Sequence, residues 1–210
     1  KNYAAIATLL ERLIWTYDYT IPMELEIIID RLEEALTLKR KEKNTTDISE
    51  TMRTLAWFYE VARNTDAAEK LYQEAVTLAI AQLGFDDIRS VLALERFALF
   101  YIDYQNYPAA QRELERKLAL HQKTEYPDIY NIGRTQSMLG WVYLQQNEFD
   151  LAERYYTAAL KNINQSITKD PDEPHYYSLP ALFDLVYFYI TQNQMAIADH
   201  YFTIAHEILA

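Results

Sequence analysis

One side chain recurs along this chain at nearly constant intervals. Tyr19, Tyr59, Tyr101, Tyr143 and Tyr189 are separated by 40, 42, 42 and 46 residues. A period of that length marks a supersecondary unit that cannot bury its apolar face alone and stacks on its neighbours. Four residues before each tyrosine stands a large apolar side chain (Trp15, Leu55, Phe97, Leu139, Leu185), and three before it a smaller one (Thr16, Ala56, Ala98, Gly140, Val186). Nine residues after it come Ile28, Ala68, Ala110, Ala152 and Ala198; thirteen after, Leu32, Tyr72, Leu114, Tyr156 and Phe202. Sixteen after, four units carry Ala35, Ala75, Ala159 and Ala205, and the third carries Lys117.

The positions before the tyrosine fall on one stripe of a first helix, and those after it on one stripe of a second. Small residues at facing points let the two backbones approach. The spacing predicts helices over 3–19, 22–42, 47–63, 66–83, 87–104, 107–122, 128–146, 149–166, 176–192 and 195–209. Short polar turns close the pairs at Arg63–Thr65, Gln105–Asn106, Gln146–Glu148 and Gln192–Gln194. Asp66 with Glu69, and Asp150 with Glu153, have capping-box spacing at second-helix starts. The expected architecture is all-α, with about five repeats over 3–44, 45–85, 86–126, 127–170 and 171–210 in one domain spanning 1–210.

Composition agrees. Only 3 Gly and 6 Pro punctuate 210 residues, too few for the hairpins of a many-stranded sandwich. Zero Cys excludes a disulfide framework and fits a reducing cytosol and a periplasm alike. A net charge of -11 argues against nucleic acid as a partner, since phosphate contact needs clustered Lys and Arg. No apolar run is long enough for membrane insertion, and no signal segment opens the chain.

The run Leu139-Gly140-x-x-Tyr143 followed by Ala152, Tyr156 and Ala159 resembles the helix-turn-helix signature of the tetratricopeptide repeats, and the resemblance extends over nearly the whole chain. The period near 42 and the connector Leu83-Gly84-Phe85-Asp86-Asp87-Ile88 are similar to the long-helix subtype of kinesin light chains. The resemblance implies a right-handed α-solenoid whose concave groove, lined by the first helices, binds peptides or partner proteins.

Two residues before each tyrosine lie Tyr17, Trp57, Leu99, Trp141 and Tyr187. In the resembled family this position faces the groove, where a ladder of aromatic side chains would anchor a ligand. The other reading is that the rings pack on the neighbouring repeat. Arg53, Arg96 and Arg134 sit near places that one branch of the family uses to clamp a carboxylate. Trp57 replaces that branch's Asn and Met138 its second cation, and Glu50, Glu60 and Glu95 are spaced to pair with the arginines instead. The paired asparagines of kinesin-light-chain repeats are likewise missing: Arg53-Thr54, Glu95-Arg96, Ser137-Met138 and Phe183-Asp184 stand there.

The acidic, Pro-rich connector Thr168–His175 lacks the ligand alternation of a calcium loop and reads as a solvated link. His121, His200 and His206 have no ligand spacing and read as surface or groove residues, so no metal and no cofactor is expected. With no Cys nucleophile, Gly-rich phosphate loop or isolated carboxylate pair, an enzyme is not expected.

The last helix is apolar on nearly every side. Its Tyr201, Ile204, Ile208 and Leu209 read as a capping or self-association surface, giving a homodimer through terminal helices. The opening Lys fits a piece of a longer chain. The expected function is a non-catalytic scaffold that binds a protein or peptide in the groove. Alternatives are the sensor domain of a larger signalling or transcription regulator, binding a peptide or small effector, and an assembly module that binds through its ends.

Overall fold

The computed structural model describes residues 22–42, 48–84, 87–122, 128–169 and 175–209. Among the described residues there are nine α-helices and no strand. They are α1 (Pro22–Glu42), α2 (Ile48–Val61), α3 (Thr65–Leu83), α4 (Ile88–Asp103), α5 (Tyr107–His121), α6 (Ile129–Gln145), α7 (Phe149–Lys169), α8 (Leu179–Thr191) and α9 (Met195–Leu209), with a 3-10 turn at His175–Ser178. The helices α2/α3, α6/α7 and α8/α9 pack in pairs, and a turn of the same kind joins α4 to α5. The predicted helix 3–19, with Tyr17 and Tyr19, lies outside the described residues. Contacts group the chain into two compact units, Lys1–Phe100 and Tyr101–Ala210, with the boundary inside α4.

Every pair turns in the same way. The residue four after the anchor tyrosine takes a left-handed conformation: Arg63 (φ 63), Gln105 (φ 58), Asn147 (φ 62) and Asn193 (φ 58). Its N–H donates to the carbonyl three residues back, as Arg63 does to Glu60 (3.0 Å) and Gln105 to Ile102 (2.9 Å). The next N–H donates to the tyrosine carbonyl itself: Asn64 to Tyr59 (2.9 Å), Asn106 to Tyr101 (2.8 Å), Glu148 to Tyr143 (2.9 Å) and Gln194 to Tyr189 (2.8 Å). These two bonds are the Schellman closure, which satisfies carbonyls orphaned at the helix end. The second helix begins one residue later in all four pairs, at Thr65, Tyr107, Phe149 and Met195.

The repeating stripes are the core of each unit. In the first unit Leu55, Ala56, Phe97 and Ala98 are buried with Ala68, Tyr72 and Ala75, and Ile28 and Leu32 of α1 pack with Leu55 and Phe58. In the second, Leu139 and Leu185 are buried with Ala110, Leu114, Ala152, Tyr156, Ala159 and Ala205. The α6/α7 crossing depends on two glycines. A Cβ on Gly140 would sit 2.7 Å from the Tyr156 ring; one on Gly133 would sit 2.7 Å from Ile163 Cγ1 and 3.0 Å from the Ala159 carbonyl oxygen.

Four sequence expectations are corrected. The α3 cap is Asn64, whose side chain accepts from Ala67 N at 3.3 Å, and Asp66 lies inside the first turn. Asp150 is likewise inside the first turn of α7. The helix expected from residue 176 starts at Leu179, because a start at 176 would put Pro180, which has no N–H, beyond the first turn. His121 is buried, not at the surface or in a groove. Lys117, at the position of the small residues, is fully buried too. Most of the connector 168–175 lies outside the described residues.

Candidate functional site

The residue two before the tyrosine faces away from the buried stripe. Trp57, Leu99 and Trp141 are half-buried, and Tyr187 is 53% exposed. The residues on either side behave differently. Four before the tyrosine, Leu55, Phe97, Leu139 and Leu185 are buried, and so are Phe58, Phe100, Val142 and Phe188 one before it. That last row went unread in the sequence although it is apolar throughout. Trp57 sits edge-on to Phe58 (centroids 4.8 Å) against the first unit's core, and Trp141 sits edge-on to Tyr107 (5.7 Å). The fold thus covers one side of each ring and leaves the other open.

Arg53 and Arg96 face glutamates. Arg53 faces Glu50 at 3.8 Å within α2. Arg96 lies 3.7 Å from Glu60 and donates to the Tyr72 hydroxyl at 3.4 Å, and that hydroxyl donates to Glu60 at 2.9 Å. Arg134 is an exposed residue of α6.

A comparable position in the second unit carries opposite chemistry. Asp184 of α8 accepts a hydrogen bond from the Ser137 hydroxyl of α6. Burial pushes the Asp184 carboxyl above the usual carboxylate range, against the lowering pull of Ser137. The Tyr156 hydroxyl is buried with no hydrogen-bond partner among the described residues. Burial raises its pKa first, then the Asp184 charge and Tyr187. Sequence reading missed this cluster, since its members lie on three helices.

A cleft of about 670 Å³ lies elsewhere: Leu118, Gln136, Tyr143, Glu153, Arg154 and Lys161 are among its lining residues, and no ladder residue is. On α9, Tyr201 stacks on Tyr189 (5.7 Å, 5°), Ile204 and Ile208 are half-buried, and Leu209 is 64% exposed. Phe202, which the site reading did not single out, is 51% exposed, whereas Tyr72 and Tyr156 at the same repeat position are covered by the following helix. No group of three or more His, Asp or Glu among the described residues could hold a metal, and none of the described helices is long and apolar enough to cross a membrane.

A family profile for the tetratricopeptide repeat matches residues 90–165. No curated protein matches the chain at a significant level. Among solved structures, the chain is similar to a putative kinesin light chain from Podosopora anserina with nearly identical TPR-like repeats, at 16% identity and TM-score 0.71, covering 98% of this chain and 94% of that one. It is similar to the apo form of RapI at 18% identity and TM-score 0.74, covering 89% of this chain and 49% of RapI. Aspartyl phosphate phosphatase F from Bacillus subtilis aligns at 12% identity and TM-score 0.65, over 99% of this chain and 61% of that one. The chain spans about half the length of RapI. The profile places tetratricopeptide repeats at residues 90–165, and the tyrosine register and the Schellman closure continue on both sides of that segment.

Proposed function

We propose that the chain is a non-catalytic scaffold that binds a peptide or partner segment along the first helices of each unit, across Trp57 and Leu99 in the first and Trp141 and Tyr187 in the second. A tetratricopeptide fold supports a general role in protein interaction. One observation carries the finer reading. The position two before the tyrosine is large and apolar or aromatic in every described repeat and buried in none. Half-covered aromatic rings make rigid anchors that a ligand can finish desolvating. Arg53 and Arg96, engaged by Glu50 and Glu60, act in this reading as struts of the first helices.

The test is selection of a peptide from a displayed random library on the whole chain, followed by Trp57→Ala and Trp141→Ala. Both variants are expected to melt within a few degrees of the parent and to bind the selected peptide at least ten-fold more weakly. Melting collapse in both, or unchanged affinity, would refute the trough. A second reading, in which these repeats are the sensor part of a larger regulator, is checked by whether an output domain adjoins them in the full-length gene. The exposed Phe202 and Leu209 support self-association through α9, which a concentration series in sedimentation checks.

A further inference from the structure

Tyr72 and Tyr156 hold the same repeat position, thirteen residues after Tyr59 and Tyr143. Both rings are buried under the following first helix, Tyr72 against Phe100 (5.5 Å) and Tyr156 against Phe188 (5.9 Å). Their hydroxyls meet different fates. Around Tyr72 the chain supplies both an acid and a base, Glu60 one residue after its tyrosine and Arg96 five before the next. At the corresponding places around Tyr156 stand Leu144 and Asp184. The acid at the first place has become apolar, and the cation at the second has become an anion.

A buried hydroxyl left without a partner is destabilising, and a partly buried carboxylate with one hydroxyl donor is also under-satisfied. One group would repair both. A guanidinium has five donors in a planar fork, enough for a carboxylate and a phenol oxygen together. The second repeat provides the precedent, since Arg96 reaches the fully buried Tyr72 hydroxyl from a side chain still 32% exposed. Access exists here as well: Asp184 is half-buried, and Tyr187, three residues along the same helix, is open to solvent. Ser137 lies one turn from Trp141.

We propose that Asp184 and the Tyr156 hydroxyl, braced by Ser137, recognise the guanidinium of an arginine on the bound peptide, supplying from outside the charge that Arg96 supplies from within. The site deepens the groove reading and rests on it for its occupant, a peptide side chain. It places the ligand's cation between the repeats of Trp141 and Tyr187, so the preferred peptide carries an arginine beside its apolar anchors.

The experiment is a nuclear magnetic resonance titration of the whole chain with Nα-acetyl-arginine methylamide and, in parallel, its neutral citrulline counterpart. Saturable shifts confined to Asp184, Tyr156 and their neighbours are expected with arginine and not with citrulline. Asp184→Asn should weaken the response at least ten-fold. Asp184→Arg, which copies Arg96, should abolish it while keeping the native spectrum, and stands in should the Asn variant fold poorly. Equal shifts from citrulline, or arginine shifts undiminished in the folded variants, overturn the proposal. The two readings fail separately. If a library-selected peptide loses affinity with Trp141→Ala yet capped arginine shifts nothing, the cation site falls and the trough stands; arginine shifts lost on Asp184→Asn support the site even where no peptide is selected.

Discussion

The recurring tyrosine works at both ends. Its carbonyl closes the first helix, and its phenol donates to a glutamate of the preceding second helix: Tyr59 to Glu33, Tyr143 to Glu115 at 2.8 Å and Tyr189 to Glu153 at 2.7 Å. Each bond ties one repeat to the next, and each requires a protonated phenol. Burial is the first cause that raises these pKa values and the accepting carboxylate the second; Tyr59 is pushed up to about 12, and Tyr143 and Tyr189 are raised as well. The folded state therefore keeps protons that the unfolded chain releases near pH 10. The contribution is complete below about pH 10 and is lost as pH rises through about 12, since a raised folded pKa favours the protonated form. Ultraviolet absorbance during alkaline titration should show a class of phenols that ionises only together with loss of helical circular dichroism. Ionisation of all 18 tyrosines near pH 10 with the helices intact would contradict it.

At the scale of the helix pair, the turn was legible and its geometry was not. Polar residues after each tyrosine announce a break, yet Arg63 and Gln105 carry no sign of left-handed backbone, a conformation that Gly or Asn usually supplies. The repeat register forces it on them, because the carbonyls of Tyr59 and Tyr101 must find donors in the next strand of chain. The same register explains the misread cap: Asn64 stands where the helix begins, while Asp66, chosen for its spacing to Glu69, comes two residues late. Left-handed backbone costs a side-chain-bearing residue roughly 1–2 kcal/mol, partly offset by the greater unfolded freedom of glycine. Arg63→Gly and Gln105→Gly should each stabilise by about 0.5–1 kcal/mol in urea unfolding, with Asn147→Gly giving less because asparagine tolerates the region better. A lower midpoint for both Gly variants would show that their side chains do more than suffer the turn.

Across the whole molecule, side-chain size and spacing announced the stack, because helix-to-helix distance depends on volume alone: alanines nine and sixteen after the tyrosine are buried wherever the sequence placed them. Polar chemistry was less readable. His121 and Lys117 are polar by type and buried by position, and the Tyr156–Asp184–Ser137 cluster exists only once three helices meet. A stack of this kind predicts that damage stays local, since stability is close to a sum of repeat and nearest-neighbour terms. Gly140→Ala is the sharp probe. Helix propensity favours alanine by about 0.8–1.0 kcal/mol, but its Cβ would meet three ring carbons of Tyr156 at 2.7–2.9 Å, and overpacking of that kind costs roughly 1–3 kcal/mol. The ring is fully buried and pressed against Phe188, so it has little room to yield and the cost wins. Amide exchange in α6 and α7 should speed up by several-fold to about tenfold, the factor for 1.4 kcal/mol, while α2 and α3 change by less than about twofold, as independent repeats require. Equal acceleration in all four helices would mean that the array opens as one cooperative block.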